Sequence, residues 1–333
     1  MVYQMNINPT DPFGRKVDYL RISVTDRCNE RCLYCMPEGY KGWERQADHL
    51  SAEEIIRVVG VAARLGFRKF RLTGGEPLVR GDLAEIVRGM AAVPGVEVIG
   101  LSTNGTRLAA QAKTLRAAGL CTANVSLDAL DPERYRSVTG GNVADVLAGI
   151  RAAVAAGFDR VKLNCVLMRG KNEAEIWPLV LFAAEHGLPL RFIELMPLSR
   201  TDVLTEENFL PVGEVMQRLR EKDKLIPQPD QRIGHGPARY YLLEQTGALV
   251  GFIGALTNLD FCESCNKVRL TADGKIRPCL GNHGEADIRT LLRNGVDDAG
   301  LTKLFYDVLA NKPQAHSFRE SYVPGRPMIA IGG

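Results

Sequence analysis

Six of the eight cysteines in this 333-residue chain fall into two groups of three. The first is Cys28-x3-Cys32-x2-Cys35 and the second is Cys262-x2-Cys265-x13-Cys279. Three thiolates on one short loop can ligate a single metal centre. Structural zinc takes four ligands, commonly as two C-x2-C pairs. Three cysteines at 3-and-2 spacing instead suit a cubane iron–sulfur cluster that leaves one iron open to a small molecule. The first group therefore reads as an iron–sulfur site, with zinc as the competing reading. In the second group no cysteine follows Cys279, and His283 is the candidate fourth ligand of a Cys3His zinc site. A second three-cysteine cluster is the preferred reading there. Cys121 and Cys165 stand alone in apolar segments and are expected to be buried packing residues.

A second set of residues carries charge. Arg21, Arg71, Lys162 and Arg191 lie within apolar, strand-like runs, and Lys267 and Arg269 follow the second cysteine pair. A cation inside a strand is costly unless it is paired or faces a polar lumen. Each could be a solvated strand-end charge, but several converging on one lumen are explained by a polyanion. Gly74, Gly75 and Glu76, in Thr73-Gly74-Gly75-Glu76-Pro77, can let backbone approach a ligand and offer an acceptor to an ammonium group.

These groups are carried by alternating elements. Strands are expected at Leu20–Val24, Lys69–Leu72, Val96–Ser102, Ala123–Leu127, Val161–Val166 and Leu190–Leu195. The first helix opens with a capping box, Ser51-Ala52-Glu53-Glu54. Further helices are expected at Asp82–Met90, Arg107–Ala118, Val143–Ala156 and Glu173–Glu185. Such alternation implies a parallel sheet covered by helices, either a partial barrel or an open doubly wound sheet, with ligands at the C-terminal strand ends. Lys224–Pro237 reads as a connector, and Arg239–Leu243 with Leu249–Leu256 as a hairpin. The net charge of +3 is too small for wholesale nucleic-acid or membrane binding. No run of about 18 apolar residues is present, and the segment from Met1 to Arg15 has no signal-like apolar core, so a cytoplasmic protein is expected.

The run Ser23-Val24-Thr25-Asp26-Arg27-Cys28-Asn29-Glu30-Arg31-Cys32-Leu33-Tyr34-Cys35-Met36-Pro37 resembles the signature of the radical S-adenosylmethionine (SAM) superfamily. The stretch Phe261-Cys262-Glu263-Ser264-Cys265-Asn266-Lys267-Val268-Arg269-Leu270-Thr271-Ala272-Asp273-Gly274-Lys275 resembles the C-terminal motif of the MoaA family of GTP 3′,8-cyclases, which begin molybdenum-cofactor synthesis. The resemblance runs from Leu20 to the terminal glycines. It implies an α/β fold, a partial (β/α)6 TIM-like barrel over residues 1–230, and a C-terminal extension over 231–333 with the second cluster and a Gly-Gly tail.

The same resemblance implies two [4Fe-4S] clusters, on Cys28, Cys32 and Cys35 and on Cys262, Cys265 and Cys279. SAM would be held by Tyr34, Gly75, Glu76, Asn104, Ser126 and Met196. GTP would be held by Arg21, Arg71, Thr103, Lys162, Arg191, Lys267, Val268 and Arg269, and Arg269, Lys267, Gly332 and Gly333 would serve catalysis. Lys267 stands where the family often has Arg, which keeps charge but loses a bidentate fork. A 5′-deoxyadenosyl radical would take the ribose 3′ hydrogen, and C3′ would join guanine C8. Implied partners are a flavodoxin- or ferredoxin-type electron donor and the downstream cyclic pyranopterin monophosphate synthase, with no nucleic acid or membrane, the chain being a monomer or homodimer. Two alternatives remain from the sequence: a radical SAM peptide-modifying enzyme with an auxiliary cluster, and a non-catalytic zinc-stabilised binding module.

Overall fold

In the computed structural model, residues 9–36, 39–43, 46–199, 201, 203–229, 233–234, 236–320 and 322–332 are described. Six strands form where the apolar runs anticipate them: β1 (Tyr19–Ser23), β2 (Lys69–Thr73), β3 (Val98–Thr103), β4 (Thr122–Ser126), β5 (Arg160–Leu167) and β6 (Leu190–Glu194). Each pairs in parallel with the next. The helices between them are α1 (Ala52–Arg64), α2 (Leu83–Ala91), α3 (Leu108–Ala117), α4 (Pro132–Thr139), α5 (Val143–Ala155) and α6 (Ile176–Glu185). The capping box of α1 is formed: Glu54 N donates to Ser51 Oγ at 3.2 Å, and Ser51 N donates to the Glu54 carboxylate at 2.8 Å. Ile55, Val58, Val59 and Ala62 of α1 are buried against the sheet, as their helical spacing requires.

The C-terminal part adds α7 (Val212–Arg220), β7 (Leu225–Pro227), β8 (Arg239–Leu243), β9 (Leu249–Ile253), β10 (Lys267–Leu270), β11 (Lys275–Arg277), β12 (Ala286–Asp287), α8 (Ile288–Arg293), α9 (Asp298–Ala310) and α10 (Met328–Ile331). The sheet is an open partial barrel of 12 strands in the order β12-β11-β10-β1-β2-β3-β4-β5-β6-β9-β8-β7. β9 lies parallel to β6 and β10 parallel to β1, so the extension supplies strands to both edges of the barrel sheet.

Three expectations need correction. Part of the supposed connector 224–237 is a strand, because Leu225–Pro227 pairs with Tyr241–Leu243 and closes that edge. The last hundred residues contain three helices, α8, α9 and the short α10, that the scattered Pro and Gly concealed; α9 buries Leu301, Phe305, Val308 and Leu309, with the Phe305 ring 5.7 Å from Phe67. The hairpin's second strand ends at Ile253 rather than Leu256, since Glu194 draws the backbone N–H groups of Leu256 and Thr257 out of the ladder. Among the described residues no helix is long and apolar enough to cross a membrane.

Candidate active site

The first triad lies in the loop that leaves the C-terminal end of β1. Its backbone is pinned from several directions: Arg31 N and Leu33 N donate to the Thr139 and Val138 carbonyls at the end of α4, and Ser199 Oγ donates to Cys35 O at 2.5 Å. Gly74 and Gly75 hold it from below. A Cβ at Gly74 would lie 2.4 Å from Thr25 O, and one at Gly75 2.3 Å from Arg27 O. The glycines thus admit the cysteine loop's own backbone, while both also line the cavity described below. Gly75 N and Glu76 N donate to those same two carbonyls, each at 2.7 Å.

Three buried carboxylates surround this triad. Glu76 accepts from Leu78 N, Thr103 Oγ1 and Asn104 N at 2.9, 2.7 and 2.7 Å, tying the β2 and β3 loops together. A carboxylate has about four lone-pair sites, so one stays for the cavity that Glu76 lines. Asp128 accepts from Tyr34 Oη at 2.8 Å, and Glu30 from Tyr135 Oη at 2.9 Å. Burial pushes Glu30 up to about 8, Glu76 to about 7 and Asp128 to about 6. Burial likewise raises all three thiols, Cys28 to about 11.

The second triad lies at the other end of the sheet. Cys265 precedes β10, which runs parallel to β1, so it sits at the N-terminal strand ends. The 13 residues between Cys265 and Cys279 are a hairpin: β10 and β11 pair antiparallel with Arg269 opposite Arg277. That fold-back returns Cys279 towards the level of Cys265 and accounts for the spacing between them. His283 is not beside them. It stacks on the Tyr322 ring with centroids 5.0 Å apart. His316 stands closer, its backbone N 3.5 Å from Cys262 Sγ and its ring 3.0 Å from Ala255 O. Among the described residues no three His, Cys, Asp or Glu side chains are drawn together around a single ion. Among the described residues each triad offers three thiols with no His, Asp or Glu side chain grouped with them, a donor set that fits a cubane cluster with one open iron.

One cavity of about 340 Å³ joins the two ends and is lined by all six cysteines. Between them Arg21, Arg71, Lys162, Arg191, Lys267 and Arg269 face it from the strands. Register concentrates the charge: Arg21 pairs with Arg269 on one side and with Arg71 on the other, so three arginines stand in a row on β10, β1 and β2. Like charges opposed on adjacent strands repel. Among the described residues none of Arg71, Lys162, Arg191, Lys267 and Arg269 forms an ion pair with a carboxylate; the buried ion pairs involve other cations. Arg71 is held by Tyr19 Oη, by Leu101 O at 2.6 Å and by Thr122 Oγ1 at 3.2 Å. Burial, then the charges of Arg191, Arg71 and Arg160, pushes Lys162 down to about 6.

Residues 22–183 match the radical SAM superfamily, and residues 188–318 match the family described as Molybdenum Cofactor Synthesis C. A GTP 3′,8-cyclase of Pelotomaculum thermopropionicum is 43% identical over 97% of this chain and 99% of its own, and one of Moorella thermoacetica is 45% identical over the same shares. The chain belongs to the GTP 3′,8-cyclase family. The fold agrees: Streptococcus suis SuiB bound to S-adenosylmethionine superposes with a TM-score of 0.60 at 15% identity over 86% of this chain and 67% of SuiB. The anSMEcpe structure with bound AdoMet gives 0.59 at 15% identity over 90% and 82%.

Of the residues implicated by the cyclase resemblance, Tyr34, Gly75, Glu76, Thr103, Asn104, Ser126 and Met196 line this same cavity, beside the six cations. Val268 does not. Strand alternation turns Lys267 and Arg269 to the lumen and buries Val268 completely in the core, so only its backbone is near the site. Gly332 does not line the cavity; its carbonyl accepts from Arg269 Nη1, and a Cβ there would lie 3.0 Å from Ser23 Cβ. Gly333 lies outside the described residues, as do residues 1–8 of the segment read as no signal. Cys165 is fully buried, but Cys121 is only half-buried, its Sγ 3.4 Å from Gly119 O.

Sequence reasoning missed Tyr19, Glu30, Lys312 and Arg15. Tyr19 was reachable, because it is two residues before Arg21 on the same strand face. Glu30 sits between two cysteine ligands of one loop. Nothing in the sequence marks Lys312 or Arg15 as neighbours of residues near 265, since those contacts are tertiary.

Proposed function

We propose that this GTP 3′,8-cyclase holds SAM against the first triad and GTP along the cationic lumen. The observation that carries the reading is the row Arg269–Arg21–Arg71 with Lys162 and Arg191, all buried except the half-buried Arg21, between two three-cysteine sites. Like charges so aligned repel, and an anion of several charges would relieve that repulsion. Cys28, Cys32 and Cys35 would hold one [4Fe-4S] cluster and Cys262, Cys265 and Cys279 the other. A cluster bound at the first triad would supply the electron that cleaves SAM to methionine and a 5′-deoxyadenosyl radical; that radical would leave as 5′-deoxyadenosine with the ribose 3′ hydrogen, C3′ would bond to guanine C8, and a second electron with a proton would quench the base radical.

The chain's own residues do the rest. Gly75, Glu76, Asn104, Ser126 and Met196 bind SAM, a cation at its sulfonium and ammonium, at the end of the cavity that carries carboxylates. Arg21, Arg71, Thr103, Lys162 and Arg191 orient the triphosphate. Lys267 and Arg269 steady the nucleoside end near the second triad, and Gly332 fixes the Arg269 guanidinium. A flavodoxin- or ferredoxin-type protein supplies the two electrons in the cytoplasm. A cyclic pyranopterin monophosphate synthase takes the 3′,8-cyclo-7,8-dihydro-GTP onward. The peptide-modifying and zinc-module readings have no use for so many cations facing one lumen.

Anaerobic reconstitution with iron and sulfide tests this. The expected result is about eight irons per chain and conversion of GTP, with SAM and dithionite, to the cyclised nucleotide. Stoichiometric zinc, or SAM cleavage with GTP recovered unchanged, would overturn it.

A further inference from the structure

Lys312 follows α9 and is almost wholly buried, with 3% of its surface exposed. Among the described residues it pairs with no carboxylate. Its ammonium nitrogen lies 2.8 Å from Lys267 O, 2.8 Å from Pro278 O and 3.5 Å from Cys265 Sγ. An ammonium has three N–H groups, and each here meets one acceptor. The two carbonyls belong to the two legs of the hairpin: Lys267 opens β10, and Pro278 follows β11. Cys265 and Cys279 are the cysteines from which those legs spring. One side chain from a different element therefore clamps both legs where the ligands attach, and brings a positive charge against one of the sulfurs.

A buried cation without a carboxylate is strongly unfavourable unless some other negative charge faces it. The group available to do so is the thiolate side of the second triad. We propose that Lys312 is a positioning residue of the second cluster: a fixed internal counter-charge that holds Cys265 and Cys279 in place and favours the cluster's reduced state. The inference rests on reading that triad as a cluster site. It follows from charge, because an added electron is stabilised by a nearby cation, and from the hydrogen bond to sulfur, both of which set cluster potentials.

The test uses the full chain with Lys312→Met and Lys312→Arg. Each is also made with Cys28, Cys32 and Cys35 all replaced by Ala, so that the C-terminal cluster alone gives the electron-paramagnetic-resonance signal. In Lys312→Met the reduced-to-oxidised ratio at a fixed potential should fall at least tenfold, which is about 59 mV for a one-electron couple. Lys312→Arg should stay near the unsubstituted value. Loss of the second cluster's iron in Lys312→Met, with retention in Lys312→Arg, also supports the proposal. An unchanged potential in iron-replete Lys312→Met overturns it. So does an equal defect in Lys312→Arg, since shape rather than charge would then decide. If the unsubstituted chain takes up only about four irons, the two-cluster reading itself fails, a result separable from the others.

Discussion

The two ends of the cavity bear the same ligand set, three cysteines, in opposite electrostatic settings. Around the first triad stand the buried carboxylates Glu30, Glu76 and Asp128, and burial raises every thiol there. Around the second stand Lys312, Lys267, Arg269 and, through the Cys262 carbonyl, Arg15. Burial raises Cys262 and Cys279 too, but at Cys265 it is outweighed by Lys312 and Lys267, and that thiol alone among the six falls below its ordinary value. The contrast teaches how one lumen sorts two ligands. In the function proposed above, the cationic cosubstrate goes to the acidic end, and the anionic substrate to the middle and the basic end.

The comparison is broken most severely by removing one cysteine from each end. Cys28→Ala should abolish reductive SAM cleavage and leave the C-terminal cluster's spectrum in place. Cys279→Ala should leave SAM cleavage by dithionite detectable and abolish cyclisation. If both variants lose SAM cleavage while each keeps its remaining cluster, the ends do not divide the work.

Next in size is the tail. Because the Gly332 carbonyl accepts from Arg269, deleting Gly332 and Gly333 frees a guanidinium at the basic end. Product formation should fall about a hundredfold, the cost of slight misplacement of reacting groups, while iron content and GTP binding stay near normal. Rate and binding measured on one sample decide it; near-normal product formation would show the tail to be dispensable.

Smaller effects sharpen the assignment of the middle. Arg71→Met or Lys162→Met should weaken GTP binding by roughly ten- to 150-fold, equivalent to about 1.5–3 kcal/mol for one charge-assisted contact. SAM binding should not change. Guanosine should bind far more weakly than GTP, and equal affinities in an anaerobic assay would remove the phosphate pocket.

The smallest effect is a pH dependence. In the free protein Lys162 is pushed down to about 6. A bound polyanion favours the ammonium form and raises that value, so above pH 6 the complex holds more protons than the free protein. GTP affinity should therefore decline as pH rises from about 6 towards the raised value, and be insensitive to this group below it. Calorimetry in buffers of different ionisation enthalpy would register proton uptake on binding near pH 7. Lys162→Met should show none.

Much of this was readable in the chain. The two cysteine spacings, the glycine loop after β2 and the cations set in apolar runs are local patterns. So are the six parallel strands, whose apolar runs alternate with helices at spacings that sequence periodicity records. The packing role of Gly74 and Gly75 was not legible, because a glycine signals only that something comes close. That the visitor is the carbonyl of Thr25 or Arg27 is a fact of packing. Val268 was misplaced because a motif is contiguous, whereas a strand sends alternate residues to opposite faces.

What the sequence determined by itself is therefore the chemistry available: two three-cysteine ligand sets, cations set in strands and a helix-covered parallel sheet to carry them. The tertiary structure alone decided their arrangement. The hairpin of β10 and β11 pairs with β1 through backbone hydrogen bonds that carry no sequence signature. That pairing sets the second triad at the N-terminal strand ends, opposite the first, and aligns Arg269 with Arg21 and Arg71. Lys312 reaches Cys265 from 47 residues away for the same reason. Contacts between distant segments are fixed by which surfaces bury each other, and a linear pattern does not contain that choice.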